Sequence, residues 1–214
     1  MPLAYGTANQ QGSPTPIFPF VEGFVETIVS SGTDHVVDLP PDITAGEFVL
    51  VLNSMTGGGG LLENPAGGWG SVYLNEMSTY EGGLTMGAWY KVADENTYLT
   101  PTVNFVSVSS APLVAQSFRI SFWYNDEYMV QADADFDTLT PPPLTTVAGS
   151  NGNLWFGILH SAMSGTVTGY PAGFSNLVST VSGTGASDAQ LHTCVLSEIV
   201  ETVTPSAWLV DSPS

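Results

Sequence analysis

The stretch GEFVLVL at residues 46–52 has a counterpart, GNLWFGI, at residues 152–158, and the two lie 106 positions apart. The same offset relates the Pro-Ala-Gly triplet at 65–67 to the triplet at 171–173. In both copies an apolar run comes first, a gap containing glycine follows, and an alternating run comes after the triplet. The shared offset indicates two related β halves, because a period this long does not suit solenoids or propellers, whose repeats span roughly 20–50 residues.

Most of the remaining chain also has the pattern of short β-strands. Residues 20–29 alternate, and Glu22 and Glu26 share a face with three large apolar residues. Residues 48–53 are almost continuously apolar, which predicts a strand buried on both faces or at the centre of a sandwich. Residues 188–201 have some helical character, but their β-branched residues favour a strand. The other predicted strands are 35–39, 71–76, 84–92, 102–108, 113–124, 153–160, 174–181, 189–200 and 207–210.

Some ten short strands with turn signals between them predict an all-β fold, an antiparallel jelly-roll-like β-sandwich. Its two pseudo-repeated halves span about 20–124 and 144–214. We expect the halves to pack face to face about a pseudo-twofold axis. Either half alone would leave one apolar face in water, so residues 20–214 are predicted to form a single domain.

Residues 1–19 are polar and contain prolines, which predicts an extended N-terminal arm and not a packed element. An arm of this kind is either disordered or lies along a partner. On the second interpretation Pro14, Pro16, Phe18 and Pro19 are the candidate partner-binding residues.

The charge of the chain is strongly one-sided. Lys and Arg number 2, Asp and Glu number 20, and the formal net charge is −18. Phosphate contacts need basic side chains, and only Lys91 and Arg119 are present, so nucleic acid is excluded as a partner and anionic membranes are disfavoured. The N-terminus has no signal-peptide pattern and no apolar run is long enough for a membrane span, so we expect synthesis in a cytoplasm.

No catalytic motif accompanies the three histidines, His35, His160 and His192, or the single cysteine, Cys194. None of them lies in a nucleophile or zinc-site pattern. His160 and His192 are interpreted as hydrogen-bonded structural residues, and Cys194 as a small core residue. The sequence therefore predicts a protein that is not an enzyme, with no cofactor and no catalytic residues.

Asp133, Asp135 and Asp137 form the one metal-like cluster in the sequence. Alternate carboxylates suit Ca²⁺, which takes about six to eight oxygen ligands. The segment lacks the glycine and the final glutamate of an EF-hand loop. A solvated acidic loop is therefore the favoured interpretation, and no metal site is predicted.

Several short motifs follow one another in a fixed order along the chain. They are Leu39-Pro40-Pro41, the strand 46–52, the turn Pro-Ala-Gly-Gly-Trp at 65–69, the strand WYKVA at 89–93 and the second set at 152–156 and 170–174. This order resembles a loose family of jelly-roll-like β-sandwich virion proteins of tailed bacteriophages. The likeness covers the chain from about Asp34 onward. Two departures are Glu47, where the family pattern usually has aspartate, and Gly68, an extra residue before Trp69.

The resemblance implies a non-enzymatic virion structural protein, most simply a capsid decoration or cement protein on the outside of the head. Its implied partners are capsid or other virion proteins, reached through the arm 1–19, and its implied state is a homo-oligomer, with a trimer as one form. Its implied location is the virion, after synthesis in the host cytoplasm. Two alternatives stay open: a tail or fibre module that binds host-surface glycan through exposed tryptophans and loops such as 55–60, and a secreted carbohydrate-binding or hydrolase domain.

Overall fold

The computed structural model describes residues 19–56, 65–77, 83–97, 100–121, 139–145, 153–161, 165–183, 188–198 and 202–211. This part of the chain is all-β, and each pair of neighbouring strands is antiparallel, as predicted. Within it no helix is long and apolar enough to cross a lipid bilayer. The strands are β1 (Phe20–Val29), β2 (Asp34–Asp38), β3 (Phe48–Thr56), β4 (Gly70–Met77), β5 (Leu84–Val92), β6 (Thr102–Val106), β7 (Leu113–Ser121), β8 (Leu144–Thr145), β9 (Asn153–Ser161), β10 (Thr166–Gly169), β11 (Ser175–Val181), β12 (Gln190–Glu198), β13 (Thr202–Val203) and β14 (Leu209–Asp211).

The largest sheet has five strands in the order β1-β7-β3-β5-β4. Every residue of its central strand, β3, is buried, as the apolar run predicted. Val49 and Val51 belong to a first apolar cluster on one face of the sheet. Leu50 and Leu52 belong to a second cluster on the opposite face. Successive side chains of a strand point to opposite faces of the sheet, so a strand is buried at every position only where both faces are covered.

The first face is covered by the two-stranded ribbon of β2 and β6. Val37 of β2 and Phe105 of β6 are fully buried against the sheet. The ring of Phe105 lies 5.7 Å from that of Trp89 of β5. This ribbon therefore completes the first cluster.

The second face is covered by a three-stranded sheet in the order β11-β12-β9. Leu191 of β12 is fully buried in the second cluster together with Phe118 of β7. Phe156 of β9 meets Phe118 edge to face, with 5.2 Å between the ring centres. Strand β7 of the five-stranded sheet and strands β9 and β12 of the three-stranded sheet therefore pack in one apolar cluster.

The opposite face of the three-stranded sheet carries a third cluster, in which Trp155, Phe174, Cys194 and Trp208 are buried. Leu144 and Val203, from the β13–β8 pair, also pack there, as does Val167 of the β10–β14 pair. The described sheets are open and not closed into a barrel. Apolar clusters therefore alternate with sheets through the fold.

The 106-residue offset of the sequence recurs in the structure. Strand β12 lies at that offset from β5, and both pair antiparallel with the strands that contain the two apolar heptapeptides. Gly67 and Gly173 both have left-handed backbones, with φ of 94° and 88°. Ser54 and His160 are separated by the same offset and contact each other, with 2.6 Å between Oγ and Nδ1. Contact between equivalent residues is expected near an axis that relates two similar halves.

Candidate partner-docking surface

The predicted arm residues Pro14, Pro16 and Phe18 lie outside the described residues. Pro19 is described and half-buried. Its carbonyl oxygen accepts a hydrogen bond from the hydroxyl of Ser197 of β12, at 3.4 Å. The chain therefore enters the fold beside the three-stranded sheet and continues directly into β1.

Strand β1 carries an exposed apolar stripe on one face. Phe20, Phe24 and Ile28 are 41, 48 and 54% exposed. They are spaced four residues apart on an edge strand, so the stripe extends for about 26 Å. We call these three residues the β1 stripe. Exposed apolar groups gathered on one face can mark an interaction surface, and here the exposed Glu22 and Glu26 alternate with them.

The two glutamates of the same face are engaged with the fold. Glu22 forms an ion pair with Arg119 of the neighbouring strand, at 3.1 Å. Glu26 accepts a hydrogen bond from the hydroxyl of Thr180 of β11. The charge of Glu22 is therefore balanced and Glu26 is held toward the second sheet, while both glutamates stay exposed between the apolar side chains of the stripe.

Both basic residues of the chain are committed to acidic partners. Lys91 lies 3.2 Å from Asp94, and Arg119 lies 3.1 Å from Glu22 and 4.0 Å from Glu47. Since the chain has only these two, no Lys or Arg side chain is left to bind a polyanion. A partner that suits the β1 stripe would therefore be apolar and either neutral or basic.

All three histidines are hydrogen-bonded within the fold, which agrees with the structural interpretation of His160 and His192. His160 Nδ1 lies 2.6 Å from the hydroxyl of Ser54, and His192 Nδ1 lies 2.7 Å from that of Ser179. Burial lowers the pKa of His160 to about 3 and that of His192 to about 4. Burial also lowers the pKa of His35. All three rings are therefore neutral at neutral pH and serve as hydrogen-bonding members of the fold.

Cys194 is fully buried, and burial raises the pKa of its thiol to about 12. A thiol held neutral in an apolar site is unreactive. In the described part of the chain, no three His, Cys, Asp or Glu side chains come together as a metal site. The candidate cluster of Asp133, Asp135 and Asp137 lies outside the described residues.

Comparison with known proteins gives no match: neither a family model, nor a curated protein, nor a solved structure matches this chain. The β1 stripe is therefore interpreted from its geometry and charge.

Proposed function

We propose that this chain is a non-enzymatic structural protein of a tailed-phage virion, a decoration or cement protein on the outside of the head. The observation that carries the proposal is continuity: the predicted arm, residues 1–19, leads at Pro19 directly into the exposed β1 stripe. The arm and the stripe together form one docking surface for a capsid protein. On the particle the chain is a homo-oligomer, with a trimer as one form.

The proposed fold is a jelly-roll-like β-sandwich with two pseudo-repeated halves. Support comes from the second apolar cluster, which combines Leu50 and Phe118 of the five-stranded sheet with Leu191 of the three-stranded sheet. Further support comes from the paired left-handed turns at Gly67 and Gly173. A rigid, open-edged β scaffold of this kind suits a protein whose task is to cover a surface.

The size of the β1 stripe supports a joint role with the arm. A stable interface buries about 800 Å² on each partner, more than three half-exposed side chains supply. An extended chain reaches about 3.3 Å per residue, so the arm of residues 1–19 can cover a further strip of roughly 60 Å. Stripe and arm together therefore provide an area that neither provides alone.

The experiment that tests the stripe is particle binding by Ile28→Ser. Ile28 is 54% exposed on the stripe, and Val36, on the β2–β6 ribbon, is 53% exposed and serves as the matched control. We expect Ile28→Ser to lower occupancy on undecorated heads at least fivefold, and Val36→Ser to leave it unchanged. The free energy of unfolding of each variant should lie within about 0.5 kcal/mol of the wild-type value, because both positions face solvent. Equal occupancy for the two variants would remove the stripe from the docking surface.

The arm is tested separately by deletion of residues 1–19. The remaining chain should stay folded, because Pro19 contributes one surface hydrogen bond and all three apolar clusters lie beyond it. We expect it to lose its association with particles. Normal occupancy of a folded deletion variant would show that the arm is not the tether.

A further inference from the structure

An open groove lies away from the β1 stripe, between the turn at 65–69 and the C-terminal end of β5. Its volume is about 480 Å³, and Trp69, Tyr90, Lys91 and Asp94 are among the residues that line it. We call it the Trp69 groove. The volume falls within the roughly 300–1,000 Å³ of small-ligand pockets.

The aromatic residues of the groove are held in place by the fold. The ring of Tyr90 lies over Gly70, where a Cβ atom would come within 2.6 Å of the ring carbons. The Tyr90 ring also stacks on the Phe48 ring, with 5.5 Å between the ring centres and 7° between the ring planes. Trp69 is half-buried and packs against the first apolar cluster. Both aromatic side chains are thus fixed while part of each borders the groove.

The polar side of the groove is also fixed before any ligand arrives. Asp94 accepts hydrogen bonds from the backbone N–H groups of Asn96 and Thr97, at 3.0 and 2.8 Å, and from the Thr97 hydroxyl. Its other carboxylate oxygen lies 3.2 Å from Lys91 Nζ. The bond from the Thr97 hydroxyl, followed by that from Lys91, lowers the pKa of Asp94 to about 2. Asp94 therefore stays ionised and oriented across the physiological pH range.

We propose that the Trp69 groove binds an uncharged saccharide unit. A pyranose ring presents an apolar C–H face, which packs on aromatic rings, and a rim of hydroxyl groups, which hydrogen-bond to a carboxylate and an ammonium. The groove offers both kinds of partner, since Trp69 and Tyr90 line it together with the ion pair of Asp94 and Lys91. Half-exposed aromatics beside an ion pair give a site that is neither wholly apolar nor wholly charged.

Charge selects the class of sugar. The ion pair of Lys91 and Asp94 is balanced, while the chain as a whole carries −18. A uronic or sialic acid would meet this field without a free cation to bind its carboxylate. Phosphorylated ligands are disfavoured for the same reason, since Lys91 is the only basic residue that lines the groove. The site therefore favours neutral hexoses and N-acetylhexosamines over acidic sugars.

The test is saturation-transfer NMR on the full chain with four probes: maltotriose, mannotriose, tri-N-acetylglucosamine and, as the acidic control, trigalacturonic acid. We expect at least one neutral trisaccharide to bind and trigalacturonic acid not to bind. Asp94→Asn should weaken that binding at least tenfold, and Trp69→Phe should weaken it as well. Glu95→Gln is the matched control, because Glu95 is an exposed acid next to Asp94 that does not line the groove, and it should bind like the wild type.

Three outcomes would overturn the proposal. The first is no signal from any of the three neutral probes, and the second is equal or stronger binding of trigalacturonic acid. The third is neutral-sugar binding that Asp94→Asn leaves unchanged, a variant that should fold because the side chain is 52% exposed. None of these results depends on where the chain sits in a virus particle. The saccharide proposal and the proposed docking on a capsid are therefore tested independently.

Discussion

At the scale of single residues, Gly87 of β5 is required by close packing. A Cβ atom there would lie 2.6 Å from Nε1 of Trp89 and 2.7 Å from Oδ1 of Asn53. Both neighbours are fully buried and cannot move into solvent. We expect Gly87→Ala to lower the free energy of unfolding by about 1–3 kcal/mol, the usual cost of overpacking a core. Urea unfolding followed by fluorescence measures it.

Gly23 of β1 is the matched control for this substitution. A Cβ atom there would meet its nearest neighbours, Pro40 and Arg119, at 3.9 and 4.0 Å, which is ordinary contact. Gly23→Ala should therefore be neutral or slightly stabilising, because alanine reduces the freedom of the unfolded chain. Equal effects of the two substitutions would contradict the packing argument.

The lowered pKa values of His160 and His192 predict that stability depends on pH. His160 and His192 have folded-state pKa values of about 3 and about 4, below the usual 6.5, so protons bind preferentially to the unfolded chain. Stability is therefore full above pH 6.5 and falls as the pH drops through the window between those values and 6.5. Each histidine contributes at most about 1.4 kcal/mol per pH unit.

The measurement is the free energy of unfolding in urea between pH 6.5 and pH 5, above the titration of ordinary carboxylates. We expect a clear fall in the wild type and a shallower fall in His160→Gln, which removes one titrating ring. A wild-type stability that stays flat over this range would show that these rings are not held neutral.

At the scale of elements, Gln116 of β7 joins the two main sheets. Its amide nitrogen donates to the Thr180 hydroxyl and to the Leu191 carbonyl, both at 2.9 Å, and its oxygen accepts from the Thr193 hydroxyl at 2.7 Å. Gln116 is fully buried. Gln116→Leu would remove all three bonds and leave the buried Thr193 hydroxyl without its Gln116 partner, and a buried polar group left unpaired costs about 1–3 kcal/mol.

We therefore expect Gln116→Leu to lower the urea midpoint of unfolding markedly. Asn104→Leu, the same exchange of an amide for leucine at an exposed position of β6, is the control and should change stability by less than about 0.5 kcal/mol. If Gln116→Leu were as stable as the control, the hydrogen bonds of Gln116 between the sheets would contribute nothing to the free energy of unfolding.

The sequence predicts the long strands well and the short ones poorly. The predicted strands 20–29 and 84–92 coincide with β1 and β5, because a period-two pattern or a buried run extends over their whole length. Three strands were not predicted, Leu144–Thr145, Thr166–Gly169 and Thr202–Val203. Each has only two to four residues and exists because a strand distant in sequence pairs with it.

The candidate docking surface was predictable only in part. The sequence places Glu22 and Glu26 on the face of the β1 stripe, and both lie there. Which parts of that face stay exposed depends on β11, from which Thr180 reaches Glu26. The Trp69 groove was not predicted, since it forms where the turn at 65–69 meets residues 90–94, and no local pattern encodes that meeting.

At the scale of the whole molecule, the strands β3, β5 and β4 recur as β9, β12 and β11 at the 106-residue offset, with shifts in register. Phe48 pairs with Val92, whereas the strict offset would pair Leu154 with Glu198. The structure pairs Asn153 with Glu198, a register shift of one residue. A shift of one residue exchanges the faces of a strand. Leu154 of β9 stays in the second cluster, like its equivalent Phe48. Cys194 of β12 lies in the third cluster and its equivalent Ala88 in the second, so β12 is the strand that has changed face.

The shared second cluster predicts that the C-terminal half does not fold alone. Ala189 and Leu191 are fully buried there against the five-stranded sheet, and residues 149–214 on their own would expose them. We expect this fragment to lack a cooperative thermal transition by circular dichroism, while residues 20–214 melt in one transition. A cooperative melt of the fragment would contradict the single-domain prediction.

The central claim is that this chain coats the head of a phage particle. The most direct test is the copy number and location of the chain in purified particles of the virus that encodes it, by quantitative mass spectrometry and antibody labelling in electron micrographs. The account predicts many copies distributed over the head. A few copies confined to the tail, or none in the particle, would contradict it.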